Sequence, residues 1–144
     1  MAGTMTLTYD DGVDGAGRPG GLMKIIADWV SDASDGTASA TTRKIVGELV
    51  KIVTDPGSTA PSDNWDTVIT DEEGVDVTAK CQNAALLVAR DTANSEETYL
   101  YILNADATPI GIAAFPVVCD KLTIAVANAG NSKTGQIILY VRLR

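Results

Sequence analysis

Histidine is absent from all 144 residues. That removes Ser-His-Asp and Cys-His catalysis, imidazole metal ligation and a histidine pH switch from the functions open to the chain. Cysteine is scarce: Cys81 and Cys119 stand 38 positions apart, with no CxxC pair and no third ligand beside them. This spacing argues against a structural zinc site and a disulfide framework, and both thiols are expected to be reduced and buried. Aromatic residues make up 5% of the chain, which leaves few stacking platforms for a sugar cleft worked by paired carboxylates. Basic residues are outnumbered, 11 against 19 acidic ones, for a net charge of −8. A phosphate backbone would be repelled, so no direct nucleic-acid partner is expected. No run approaches the ~20 consecutive apolar residues of a membrane helix. The start Met1-Ala2-Gly3-Thr4-Met5 lacks the charged and apolar regions of a signal peptide. No membrane partner is expected, and the chain is expected to be made and kept in a cytosol.

What is present is enough apolar material, 45%, to bury one domain's core. Six of the 13 glycines fall in the first 21 residues, among Asp10, Asp11 and Asp14. The segment is read as having neither a helical nor a strand period, hence as a flexible arm that orders on a neighbour. From Leu22 the texture changes. Met23, Ile25, Ala27 and Trp29 alternate with Lys24, Ile26, Asp28 and Val30, a strand with one apolar face, and Ser31–Gly36 ends it in turn residues. Arg43 to Thr54 is rich in β-branched residues and reads as a strand stopped by Asp55-Pro56-Gly57. A loop through Pro61 leads to a strand at Trp65–Thr70 and a turn at Asp71–Gly74. Ala84–Ala89 is compatible with one or two helical turns or a buried crossover. Tyr99–Leu103 and Ile110–Val118 read as strands, the latter with Pro116 at an edge or bend. At the close, Leu122, Ile124 and Val126 precede the turn Ala129–Gly135, and Ile137, Leu139, Val141 and Leu143 follow it, which reads as an antiparallel hairpin. The expected fold is all-β: an antiparallel β-sandwich or flattened barrel of about seven to eight short strands over 22–144, with an extended N-terminal arm over 1–21.

Few groups promise chemistry. Between Lys51 and Lys80 lie seven acids (Asp55, Asp63, Asp66, Asp71, Glu72, Glu73 and Asp76) and no base. Three of them are consecutive, without the alternation of a Ca²⁺ loop, and a solvated turn that discourages edge aggregation is the plainer expectation. Gly12-Val13-Asp14-Gly15-Ala16-Gly17 is read as following no strand and opening no helix, and so is not expected to be a phosphate-binding loop. Trp29, Tyr99, Tyr101, Phe115 and Tyr140 fall within predicted strands, where core or interface packing accounts for them. No catalytic residue, cofactor or metal ligand is expected.

The stretches Gly47-Glu48-Leu49-Val50-Lys51-Ile52-Val53-Thr54-Asp55-Pro56-Gly57, Ala60-Pro61-Ser62-Asp63-Asn64-Trp65-Asp66 and Thr70-Asp71-Glu72-Glu73-Gly74-Val75-Asp76-Val77 resemble small structural proteins of tailed bacteriophages. So do Arg90-Asp91-Thr92-Ala93 and Ala129-Gly130-Asn131-Ser132-Lys133-Thr134-Gly135 before Ile138-Leu139-Tyr140. The resemblance covers roughly residues 43 to 144. It implies a virion component, foremost a head-decoration (cement) protein made in the host bacterial cytoplasm. Such a protein would sit on the capsid surface as a homotrimer and clamp subunits of the major capsid protein. Within and beside the arm, Tyr9, Arg18, Pro19 and Leu22 are the residues expected to touch the capsid. A tail-tube, tail-terminator or head–tail connector protein is the first alternative, and a carbohydrate- or Ca²⁺-binding β-sandwich module the second.

Overall fold

Strict alternation of large apolar and polar residues sets one face of a strand against the core and the other toward solvent, and most of this fold follows from that rule. The computed structural model describes residues 2–12, 16, 20–63, 65–79, 81, 94–100 and 115–143. Nine strands occur among them: β1 (Thr4–Asp10), β2 (Leu22–Val30), β3 (Ala38–Thr41), β4 (Ile45–Pro56), β5 (Asp66–Thr70), β6 (Glu96–Tyr99), β7 (Val117–Asp120), β8 (Thr123–Ala127) and β9 (Thr134–Leu143). They form two antiparallel sheets packed on each other, an all-β sandwich. The larger runs β1-β2-β9-β4-β6 with β7 also on β4, and the smaller runs β3-β8-β5.

The core lies between the sheets. Met23, Ile25, Ala27 and Trp29 of β2, Leu49 and Ile52 of β4, and Ile137, Leu139 and Val141 of β9 face Trp65, Ile69, Ile124 and Val126 from the other side. Each fully buried Ile, Leu or Val contributes about 1.5–3 kcal/mol relative to exposure. The rings of Trp29 and Trp65 meet at 5.1 Å between centroids, tilted by 48°, a favoured aromatic geometry. In β4 the register against β9 shifts between Leu49 and Lys51. This bulge lets β4 bend, and it pairs with β7 at Ile45–Glu48 and with β6 at Lys51–Thr54.

Two expectations need correction. Residues 1–21 are not all arm: Thr4–Asp10 is β1, paired with β2 over all seven of its residues. Thr4-Met5-Thr6-Leu7-Thr8-Tyr9 alternates polar and apolar, and Met5, Leu7 and Tyr9 pack against the core. The glycines that dominate the segment's composition lie outside this run. The closing segment is also not a hairpin, because β8 lies between β3 and β5 while β9 lies between β2 and β4 in the other sheet. Both strands alternate because each presents its apolar face to the same core, from opposite sheets. The connection crosses the sandwich with Asn128, Gly130 and Ser132 in left-handed backbone conformations at φ 58°, 84° and 48°. It is pinned by Ser31, whose hydroxyl donates to the Gly130 carbonyl at 2.6 Å and accepts from the Lys133 N–H at 2.8 Å.

Strand β6 begins three residues before the expected Tyr99, and Tyr101–Leu103 lies outside the described residues. So do Ala84–Ala89 and the stretch 110–114. Phe115 and Pro116 lie in no strand, β7 begins at Val117 and runs two residues past the expected Val118, and the Pro116 carbonyl accepts the Leu49 N–H at 2.9 Å.

Candidate functional site

Because the inner faces of both sheets are committed to the core, any contact surface must be built from outward positions, edges and loops. The outward face of the large sheet is ordered by register. One row runs Asp10, Lys24, Tyr140, Lys51, Tyr99 across five strands, so that two ammonium groups alternate with two phenol rings. The Lys51 Nζ lies 4.4 Å from the Tyr140 centroid and 5.4 Å from that of Tyr99, and the Lys24 Nζ lies 5.5 Å from Tyr140. Lys51 also donates to Glu97 at 2.9 Å, and that hydrogen bond, foremost among its surroundings, holds its pKa above the usual lysine value. One row over, Arg142 pairs with Glu48 through Nε at 2.7 Å and stacks its guanidinium over Phe115 at 5.2 Å. Sequence reasoning missed this ladder, since its members come from strands far apart in the chain.

At the other end of the same face is a groove of about 440 Å³ lined by Thr4, Thr6, Asp28, Asp55, Thr134 and Gln136 among others. The rows Thr4-Val30-Thr134 and Thr6-Asp28-Gln136-Asp55 form it in register. Asp28 accepts from the Gln136 amide at 2.7 Å, and Asp55 accepts from the Ser95 hydroxyl at 2.7 Å. Among the described residues its lining holds no lysine or arginine, so its polar character there is that of hydrogen-bond acceptors and hydroxyls.

The residues expected to meet a capsid fall in different settings. Tyr9 faces inward, half-buried. Its hydroxyl accepts the Arg43 N–H at 2.8 Å while the Arg43 guanidinium stacks over its ring at 4.4 Å and pairs with Asp11 at 2.6 Å. Tyr9 therefore clasps the end of β1 to the segment before β4. Leu22 is 50% exposed on the rim of a small, largely apolar depression of about 150 Å³ shared with Asp10, Gly12, Met23, Lys24 and Tyr140. Arg18 and Pro19 lie outside the described residues.

No family model matches this sequence, and no curated protein does.

The acidic stretch 55–76 resolves into local roles. Asp71 accepts from the N–H groups of Glu73 and Val75 at 3.1 and 2.8 Å, and Asp76 from the N–H and hydroxyl of Thr78 at 2.9 and 2.7 Å, as aspartates do in turns. Asp66 accepts from the Asn128 amide at 2.6 Å. Glu73 faces Asp120 of β7, whose charge, ahead of other causes, raises its pKa above the usual glutamate value. Among the described residues no group of three or more Asp, Glu or Cys side chains is placed to hold a metal ion. Both thiols are free. Cys81 is buried, and burial pushes its pKa up to about 11. Cys119, expected to be buried, is exposed, because it falls at an outward position of β7 opposite Val46.

Proposed function

We propose that this chain is a structural protein of a tailed-phage virion, a head-decoration protein that binds the outside of the assembled shell and bridges neighbouring subunits of the major capsid protein. The resemblance over residues 43–144 motivates the reading. Its quoted stretches correspond to β4, the loop leading into β5, the turn after β5 and the β8–β9 connection with the following part of β9, while Arg90–Ala93 lies outside the described residues; the β1–β2 corner lies outside the resemblance. The observation that carries the attachment is the half-exposed Leu22, set beside an apolar depression at that corner. An exposed leucine next to an unfilled apolar hollow is a place where a partner side chain gains burial without displacing a native contact.

The mechanism is thermodynamic. A protein that binds the assembled shell and not its separated subunits stabilises the shell by mass action, and repetition of the contact over a symmetric lattice multiplies a weak attachment. The net charge of −8 suits an outer position, away from packaged DNA.

Mixing the purified chain with undecorated heads of its phage, followed by sedimentation and electron cryomicroscopy, tests the reading. Density on the shell surface and at least tenfold weaker binding by Leu22→Ser with an unchanged Tm are the expected results. Density confined to the tail, or no density on the particle, overturns the decoration reading. Undiminished binding by Leu22→Ser overturns the assignment of the corner.

A further inference from the structure

Every open sheet has edges whose main-chain N–H and C=O groups are unpaired, and natural proteins blunt them with short length, charge, proline or bulges. Among the described residues, four of the five edge strands follow that pattern. Strands β3, β6 and β7 have four residues and β5 has five; β6 carries Glu96 and Glu97, and β7 follows Pro116 and ends in Asp120. Strand β1 does not. It is seven residues long, pairs with β2 without a bulge, and over Thr4-Met5-Thr6-Leu7-Thr8-Tyr9 contains no charge, glycine or proline. Among the described residues its main chain bonds only to β2, and β3, the nearest strand of the small sheet, forms no ladder with it.

We propose that this edge pairs with the same edge of a second copy of the chain across a two-fold axis, joining the two large sheets into one. The pattern of β1 is close to symmetric about Leu7. Antiparallel pairing with Leu7 opposite Leu7 sets Thr6 opposite Thr8, Met5 opposite Tyr9 and Thr4 opposite Asp10. Hydroxyl faces hydroxyl on the outer side, a favourable cross-strand pair, and on the inner side the partly buried Met5, Leu7 and Tyr9 complete their burial against their counterparts. The single charged residue that each β1 brings to the seam, Asp10, lies opposite Thr4 of the other copy, so no like charges face each other. It already stands beside Lys24 of its own copy. The contact is isologous, so it closes, and among the described strands it leaves no long edge free to propagate. It yields a dimer, where the resemblance implies a trimer, and it is independent of the capsid reading.

The test uses the full chain in light scattering coupled to size exclusion over a concentration series. The wild type is expected at twice the mass of one chain, and a monomer or trimer throughout overturns the proposal. Thr6→Lys combined with Thr8→Lys places two like charges opposite each other twice in the dimer and is expected to raise the dimer Kd at least tenfold, with the circular dichroism spectrum unchanged. Thr6→Lys combined with Thr8→Glu places opposite charges across the same two pairs and is expected to restore the dimer. Because both positions are exposed, neither variant threatens the fold, and the second checks the register independently of edge propensity. A double-lysine variant that still dimerises like wild type, or a lysine–glutamate variant that fails to recover, overturns the pairing.

Discussion

Gly135 sits so close to the Trp29 indole that a Cβ at position 135 would lie 2.4 Å from Cζ2 and 2.8 Å from Cε2. The inward position of β9 at this end is filled by the tryptophan from β2, and only a residue without a side chain leaves room for it. Gly135→Ala must therefore push the indole toward Trp65 or shift β9. The expected destabilisation is about 1–3 kcal/mol, the range of core overpacking, read as a lower urea midpoint at constant m. The compensating Trp29→Phe should recover part of it in the double variant, because the smaller ring vacates the space.

The Glu48–Arg142 pair is asymmetric. Glu48 is 9% exposed, while the Arg142 side chain keeps 46% of its exposure. Removing the arginine takes a charged donor from a nearly buried carboxylate, whereas removing the glutamate leaves a guanidinium that water can still reach. Arg142→Ala is expected to destabilise by about 1–3 kcal/mol and Glu48→Ala by less, with the half-exposed geometry keeping both below the values of fully buried pairs. Chemical denaturation of the two single variants and the double variant measures the order and the coupling.

Strands β2, β4, β5 and β9 could be read from their runs of large apolar and β-branched residues, although β4 runs on through the Asp55-Pro56 expected to stop it and β9 takes in Thr134 and Gly135, expected in the turn. Strand β1 escaped because the glycines after it dominate the composition of residues 1–21, although Met5, Leu7 and Tyr9 carry the signal plainly. Strand β3 escaped for the opposite reason: Ala38-Ser39-Ala40-Thr41 has no side-chain contrast to alternate. The mistaken hairpin shows a limit of periodicity itself. Alternation in Ile124 and Val126 and in Ile137, Leu139 and Val141 reports that one face is buried, and is silent on which sheet the strand joins. The same limit hides the outward ladder of Lys24, Tyr140, Lys51 and Tyr99. Their adjacency depends on β9 lying between β2 and β4, a long-range pairing that no local window contains. The exposure of Leu22, by contrast, follows from its place in the alternation of β2.

The two thiols are expected to behave as different reagents. Cys119 is exposed and should react with a maleimide or an aromatic disulfide within the mixing time of an ordinary labelling experiment. Cys81 is buried, with its thiol pushed up to about 11, so at pH 8 almost none of it is the nucleophilic thiolate. One equivalent of label per folded chain is expected and two in denaturant, with Cys119→Ser abolishing the first. Rapid double labelling of the folded wild type would contradict this assignment. As pH rises past the unfolded thiol's value near 9, the buried neutral thiol disfavours the folded state progressively, because the unfolded chain ionises first.

Two exposed carboxylates should give pH dependences of opposite sign. Asp32 accepts hydrogen bonds from the hydroxyl and N–H of Ser34 and from the Asp35 N–H, which hold its pKa below the ordinary 3.8. The unfolded chain therefore binds the proton first, and the stability that Asp32 supplies is present above pH 3.8 and lost as pH falls through the native value. Glu73 is the reverse: the Asp120 charge lifts its pKa above 4.5, so the folded state binds the proton first and is favoured at low pH. That preference is lost as pH rises from the unfolded value through the native one, leaving the repulsion in force at neutral pH. Thermal melts from pH 2.5 to 7 should show Asp32→Asn less stable than wild type at neutral pH, with the gap closing toward pH 3. Asp120→Asn should be more stable than wild type at neutral pH, with its gap closing below pH 4. Both groups are reached by solvent, so the shifts in Tm should be small and should shrink further in 0.5 M salt, about where the Debye length falls to a few ångströms.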